Sequence, residues 1–236
     1  GRGIAHAEES PAEHDPSLHG VQLWVALPDA NRQVAPAFEH HAELPGATLG
    51  GFAITVFMGG LAGARSPATA FSPIIGAELA AANHARARIP LDTSFEHVIF
   101  VVAGAAQVGG AELRPGHLLY LGPGRDRAEV AASSGSAMFL LGGVPLHEPL
   151  LMWWNFVART PEEIAAAVAG WRADRFGAVG GYHGAPLAAP PFDAALLRRP
   201  RPKGHPAHAA DAAGAAPGRR RRASRIVRIA QYFGLS

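Results

Sequence analysis

The chain has 236 residues, 48% of them hydrophobic and 17% charged, which is apolar material enough for one or two domains and excludes global disorder. No run of 18 apolar residues occurs, which excludes a helical membrane span, and the absence of cysteine excludes a disulfide framework, a thiolate zinc site and a cysteine nucleophile. The formal charge of +2 hides a split: from Arg198 to Ser236 ten basic side chains face one acid, whereas the preceding 197 residues carry eleven basic and eighteen acidic ones. The folded body is therefore acidic, which argues against nucleic-acid binding by it, and the basic tail is expected to adsorb polyanions only without sequence preference.

The first residues, Gly1-Arg2-Gly3-Ile4-Ala5-His6-Ala7-Glu8, show no initiator Met, no basic leader and no apolar signal core. They read as the middle of a longer protein, with a cytoplasmic location expected. Within them, His6-x-Glu8 is the first pattern that can carry chemistry. On a strand, residues two apart share a face, so an imidazole and a carboxylate at this spacing both point into one barrel. Such a pair is half of a set suited to iron, manganese, nickel or copper. Taken alone it is equally compatible with a surface pair.

Next, Val21, Leu23, Val25 and Leu27 alternate in period two, and Pro28-Asp29 stops the run, so a strand is expected over 21–27. Phe52–Phe57 reads as a strand ending in Gly59-Gly60. The pattern Gly59-Gly60-x-x-Gly63 follows that strand, but Ser66-Pro67 forbids the helix a phosphate loop must open, and a wide turn is expected. Val98–Val102 is β-branched and aromatic, fit for a buried strand. Gln107–Leu113 reads as a tight hairpin about Gly109-Gly110, Pro115-Gly116 as a turn before a strand at His117–Leu121, and Ala137–Leu141 as a further strand. Short strands with Gly and Pro punctuation mean a sandwich or barrel.

One helix is expected at Thr160-Pro161-Glu162-Glu163, which combines an N-cap hydroxyl, proline in the first turn and the glutamate of a capping box. Ile164, Val168 and Trp171 give its apolar stripe, and Gly177 its end. Trp153, Trp154 and Trp171 are expected to pack the helix on the sheet rather than to stack a ligand, which is the alternative. From about Ala185 the composition turns to Ala, Pro and Arg, and the periodicity is lost. Arg219–Arg222 reads as a polyanion patch or address, Arg225–Phe233 as a short basic amphipathic helix, and both equally as a solvated tail. His147-Glu148 begins an H-E-x-x-H but has Leu151 in place of the second histidine, and no G-x-S-x-G serine elbow is present.

Several of these blocks, in this order, resemble the pirin family: Gly1–Glu8 with Leu18–Pro28, Gly63-Ala64-Arg65-Ser66-Pro67, Leu113-Arg114-Pro115-Gly116-His117, Glu148-Pro149-Leu150, Asn155-Phe156-Val157, Thr160–Ile164 and Arg175-Phe176-Gly177. The resemblance covers about residues 1–180. It implies a tandem cupin protein with one metal, usually iron, in the N-terminal barrel. Its ligands there are two histidines from an H-x-H segment together with the histidine and glutamate that match His6 and Glu8. This sequence contains no H-x-H, and His40-His41 cannot supply it, because adjacent side chains alternate across a strand. The two further histidines are therefore expected upstream of Gly1, and the chain as it stands is expected to be inactive. His97 lacks an H-x-H partner, so it and His117 are expected to be packing or surface residues, and the second barrel to hold no metal.

The expected fold is all-β, with tandem jelly-roll cupin domains, the first incomplete, and one short helix after the second barrel. Residues 1–65 form the remaining N-terminal cupin, 66–185 the C-terminal cupin with its helix, and 186–236 the basic tail. The resemblance implies a monomeric non-haem dioxygenase of the quercetin type in the intact protein, with Fe(II) or another divalent transition metal as cofactor. A flavonol-like aromatic and O2 would be its substrates. The alternative is a metal-dependent interaction protein that acts as a transcriptional cofactor without turnover.

Overall fold

The computed structural model describes residues 1–9, 13, 20–193 and 195. Leu18, His19 and the basic segment from Arg198 on lie outside the described residues. The chain forms two compact units, one of residues 38–148 and one that joins residues 1–37 to the described residues from Pro149 on.

The 38–148 unit is all β. Its strands are β1 Gly46–Leu49, β2 Phe52–Met58, β3 Gly60–Leu61, β4 Ala64–Arg65, β5 Ile74–Ala81, β6 Ala85–Pro90, β7 Glu96–Ala103, β8 Ala106–Val108, β9 Ala111–Leu113, β10 Leu118–Leu121, β11 Arg127–Ala132 and β12 Ser136–Gly143. A six-stranded sheet runs β1-β2-β5-β12-β7-β10 and a four-stranded sheet β6-β11-β8-β9, all in antiparallel pairs. The inward faces close on one apolar core that includes Ile54, Val56, Leu79, Ile89, Ile99, Val101, Val130, Met138 and Leu140. Strand β6 shows the period-two logic plainly: Ala85, Ala87 and Ile89 are buried while Arg86, Arg88 and Pro90 are exposed. β1 and β2, which fall inside the 1–65 stretch, are hydrogen-bonded into the same sheet as β5.

Local chemistry explains the turns. The β8–β9 loop is Gly109-Gly110, with φ of +54° and +90°, the left-handed pair that a type I′ hairpin needs and that side chains resist. Gly59–Arg65 is a tight hairpin of β3 and β4, not the wide turn expected. Ala62 and Gly63 at φ +51° and +84° close it, and the buried Ser66 hydroxyl then donates to the Phe57 carbonyl at 2.9 Å.

The other unit is built differently. Strands β13 Leu151–Trp153 and β14 Phe156–Ala158 form a hairpin, followed by helix α1 Pro161–Arg172. The helix starts as the sequence indicates: the Glu163 N–H donates to Thr160 Oγ1, and the Glu163 carboxylate accepts from the Thr160 N–H. Ile164, Ala167 and Val168 bury their side chains with Phe156 and Ala158. The helix ends at Arg172, five residues before Gly177. Asp174 adopts φ +53° and the Arg175 N–H closes on the Gly170 carbonyl at 3.0 Å, and Asp tolerates that left-handed turn better than most side chains. Two further expectations are corrected here. Residues 21–27 form no strand: they enter no ladder among the described residues, and alternation in sequence is not by itself enough to make one. Residues 186–192, where loss of periodicity had pointed to an unpacked tail, are docked on the unit. Trp171 Nε1 donates to the Leu187 carbonyl at 2.7 Å, and the Phe192 ring meets Trp153 edge-on at 5.1 Å.

Candidate metal and ligand site

The N-terminal residues are tied into their unit by backbone and side-chain bonds. The Arg2 N–H donates to the Val34 carbonyl at 3.0 Å, and its guanidinium to the Gln33 carbonyl at 3.0 Å. Residues 28–34 are in turn anchored by Arg32, which pairs with Asp29 at 2.6 Å and with Glu163 at 2.9 Å. The Arg32 and Glu163 side chains of this second pair are only 17% and 19% exposed, so it is better shielded than an ordinary surface pair. Arg159 adds a bond from its guanidinium to the Leu27 carbonyl at 2.6 Å. Burial pushes the Glu163 carboxyl up, but the bonds it accepts from the Arg159 N–H, the Arg32 guanidinium and the Thr160 N–H outweigh that and hold it below the usual glutamate value.

Residues 3–8, thus positioned, form one wall of a cavity of about 480 Å³. His6 and Glu8 both line it and both are exposed, outside any β-ladder among the described residues. A strand was the expected carrier of this pair. No strand includes it here, though both residues line the same cavity. Gln22 Nε2 donates to Glu8 Oε1 at 3.2 Å, which orients the carboxylate.

The opposite wall is aromatic. Trp154, Phe156, Trp171, Phe176 and Tyr182 line it. Trp154 meets Trp171 edge-on at 5.7 Å and Phe156 edge-on at 5.5 Å, while Trp171 and Phe176 stack at 6.3 Å. These indoles do pack helix against hairpin, and they also face the cavity. Trp154 sits in the two-residue β13–β14 loop at φ +51°, a conformation that costs a bulky side chain about 1–3 kcal/mol. Backbone strain of that kind collects at functional sites. The aromatic side of the cavity escaped the sequence reading, because nothing local links residues 171–187 to residues 3–8.

The donor set fits part of a metal site. One imidazole and one carboxylate, two apart and facing one cavity, are ligands that divalent iron or manganese accepts. Among the described residues no group of three or more His, Asp or Glu gathers, so the described chain supplies two donors. His97 is elsewhere, inside the other unit, 2% exposed and against the Phe95 ring at 5.8 Å. Its Nδ1 is buried with no hydrogen-bond partner, a deficit worth about 1–3 kcal/mol. Burial pushes its pKa down, with Asp92 pulling the other way, which favours the neutral ring. No helix among the described residues is long and apolar enough to cross a membrane.

Residues 76–177 match the Pirin C-terminal cupin domain. The chain resembles the pirin family. It is 40% identical over 195 residues to a Pseudomonas aeruginosa protein that bears the name "Putative quercetin 2,3-dioxygenase", covering 81% of this chain and 61% of that protein. Mouse pirin is 30% identical over 192 residues, covering 78% and 64%. Among solved structures, quercetin 2,3-dioxygenase from Acinetobacter baumannii superposes with a TM-score of 0.67 at 36% identity, covering 71% of this chain and 56% of that one. The chain thus has the all-β cupin fold, and it spans about three fifths of the length of the curated relatives it matches.

Proposed function

We propose that this protein is a metal-dependent dioxygenase that opens a flavonol-type aromatic with O2. His6 and Glu8 are two of its metal ligands, and the aromatic-walled cavity beside them is the substrate site. The observation that carries the reading is the meeting of a His-x-Glu pair and a wall of four packed rings on one cavity of about 480 Å³. That volume lies within the range of about 300–1,000 Å³ typical of small-molecule sites. Support comes also from the solved relative named quercetin 2,3-dioxygenase.

A divalent metal supplies Lewis acidity and one-electron chemistry toward O2. The chain does the rest. Glu8, whose carboxylate accepts from Gln22, and His6 both line the cavity. Trp154, Phe156, Trp171 and Phe176 line the cavity and offer an aromatic surface against which a planar polyphenol can pack, which would orient it. The same rings exclude water from one side of the cavity and so protect reactive oxygen species from it. The remaining two ligands are assigned to an H-x-H pair, which this sequence does not contain.

The test supplies that pair: the 236-residue sequence is extended upstream by the H-x-H-bearing segment of a pirin and loaded with Fe(II). Quercetin absorbance should then decay with matching oxygen uptake, and Glu8→Ala should abolish both. A filled metal site with no turnover of any flavonol would overturn the oxygenase reading in favour of a metal-dependent interaction protein.

A further inference from the structure

A second cavity, of about 300 Å³, lies wholly within the 38–148 barrel. Its lining mixes apolar residues, among them Leu61, Ile75, Phe95 and Leu140, with the polar groups of Arg65, Asp92 and His97. His97 shares the inward face of β7 with Ile99 and Val101 and is buried with them. The barrel leaves room for this ring on purpose of geometry: opposite it stands Gly142, where a Cβ would come within 2.7 Å of His97 Cδ2 and 2.6 Å of the Glu96 carbonyl oxygen. A histidine fitted into an apolar barrel, with its Nδ1 unpartnered, is a costly choice for packing alone.

The rim is polar in a complementary way. Arg65 is exposed and, among the described residues, has no ion-pair partner. Asp92 is engaged already, with its Oδ1 accepting from the Ser94 N–H at 2.8 Å and the Ser94 hydroxyl at 2.6 Å. Its partners are neutral, so Asp92 keeps its charge; the Arg65 guanidinium is the group of the lining that can pair with an anion, and the carboxylate disfavours a dianion more than a monoanion.

We propose that this cavity binds a small hydroxylated aromatic monocarboxylate, whose carboxylate pairs with Arg65 at the rim and whose hydroxyl meets the imidazole of His97 within the barrel. A hydroxyl both donates and accepts, so it satisfies a neutral imidazole in either tautomer. The apolar residues of the lining take one ring, in keeping with a volume near the lower end of small-molecule sites. A charge-assisted bond to arginine is the stronger of the two contacts and sets affinity. The site is independent of the one that contains His6 and Glu8, and of whether that one turns over a flavonol.

Titration calorimetry of the 236-residue chain with 4-hydroxybenzoate, benzoate and phenol tests it, together with imidazole nitrogen shifts read by NMR. One molecule of 4-hydroxybenzoate should bind, with benzoate weaker and phenol weaker by about tenfold or more. Binding should shift the His97 imidazole resonances. Arg65→Ala, at an exposed position, should keep the melting temperature and weaken binding about tenfold. Equal affinity in Arg65→Ala would place the ligand elsewhere and overturn the proposal. So would His97 signals unmoved at saturation, or no binding at millimolar concentration.

Discussion

The two units solve the problem of staying folded in opposite ways. In residues 38–148, two sheets bury one continuous core and most of the backbone is satisfied by ladders, so no single polar contact matters much. In residues 1–37 with 149–193 the apolar cluster is small, and chain segments more than a hundred residues apart are tied by a few polar bonds: Arg32 to Glu163, and Arg159 to the Leu27 carbonyl. The lesson is that the barrel is a scaffold sensitive to volume. The other unit, which carries the proposed active cavity, is sensitive to charge and capping.

The largest expected effect lies in the barrel. Leu140→Ala, at a fully buried position between β5 and β7, should cost about 2–5 kcal/mol in denaturant titration, the range for a large-to-small change in a packed core. A cost under 1 kcal/mol would mean that the barrel core is loosely packed and would undo the contrast.

The helix start comes next. Thr160→Ala removes the acceptor of the Glu163 N–H and should cost about 1 kcal/mol, with the loss confined by hydrogen exchange to the 149–193 stretch. The same region should loosen in acid. The Glu163 carboxyl is held below the ordinary glutamate value of 4.5, so its stabilisation is present above about pH 4.5 and is lost as pH falls through the depressed folded value. Glu163→Gln should flatten that acid limb.

The barrel has its own pH dependence from the buried His97. Because its folded pKa lies below the ordinary 6.5, the unfolded chain takes up the proton first. Its contribution is full above about pH 6.5 and should fade as pH drops from there through the folded value. Melting temperatures across that window should show the slope in the native chain and not in His97→Gln.

The smallest effect is expected on the barrel surface. Arg88 and Glu129 form a 2.9 Å pair at 75% and 54% side-chain exposure, and Arg88→Ala should change stability by no more than about 0.5 kcal/mol.

What the sequence made legible follows the same division. Strands β2, β7, β10 and β12, the Gly109-Gly110 hairpin and the capped start of α1 rest on local chemistry and stand where that chemistry puts them. Strands β5, β6 and β11 were not read: their Ala, Gly and Arg content is poor in strand formers, and pairing in the sheet overrides it. The opposite failure occurred at 21–27, where a good alternating pattern has no ladder to join. His6 and Glu8 stood out by their spacing, which is local, and the structure has both lining one cavity. The aromatic wall that faces them was not, since it depends on a fold that brings residues 154–187 to residues 3–8.

The most direct measurement follows the histidine imidazole signals of the 236-residue chain while substoichiometric Mn(II), a paramagnetic divalent ion, is added. Two protein donors bind such an ion weakly and in fast exchange, which still broadens the rings it visits. The account predicts that the His6 resonances, assigned by their loss in His6→Ala, broaden first, and that Glu8→Ala removes the effect. His6 signals that stay sharp while other histidines broaden, or broadening unchanged in Glu8→Ala, would contradict it.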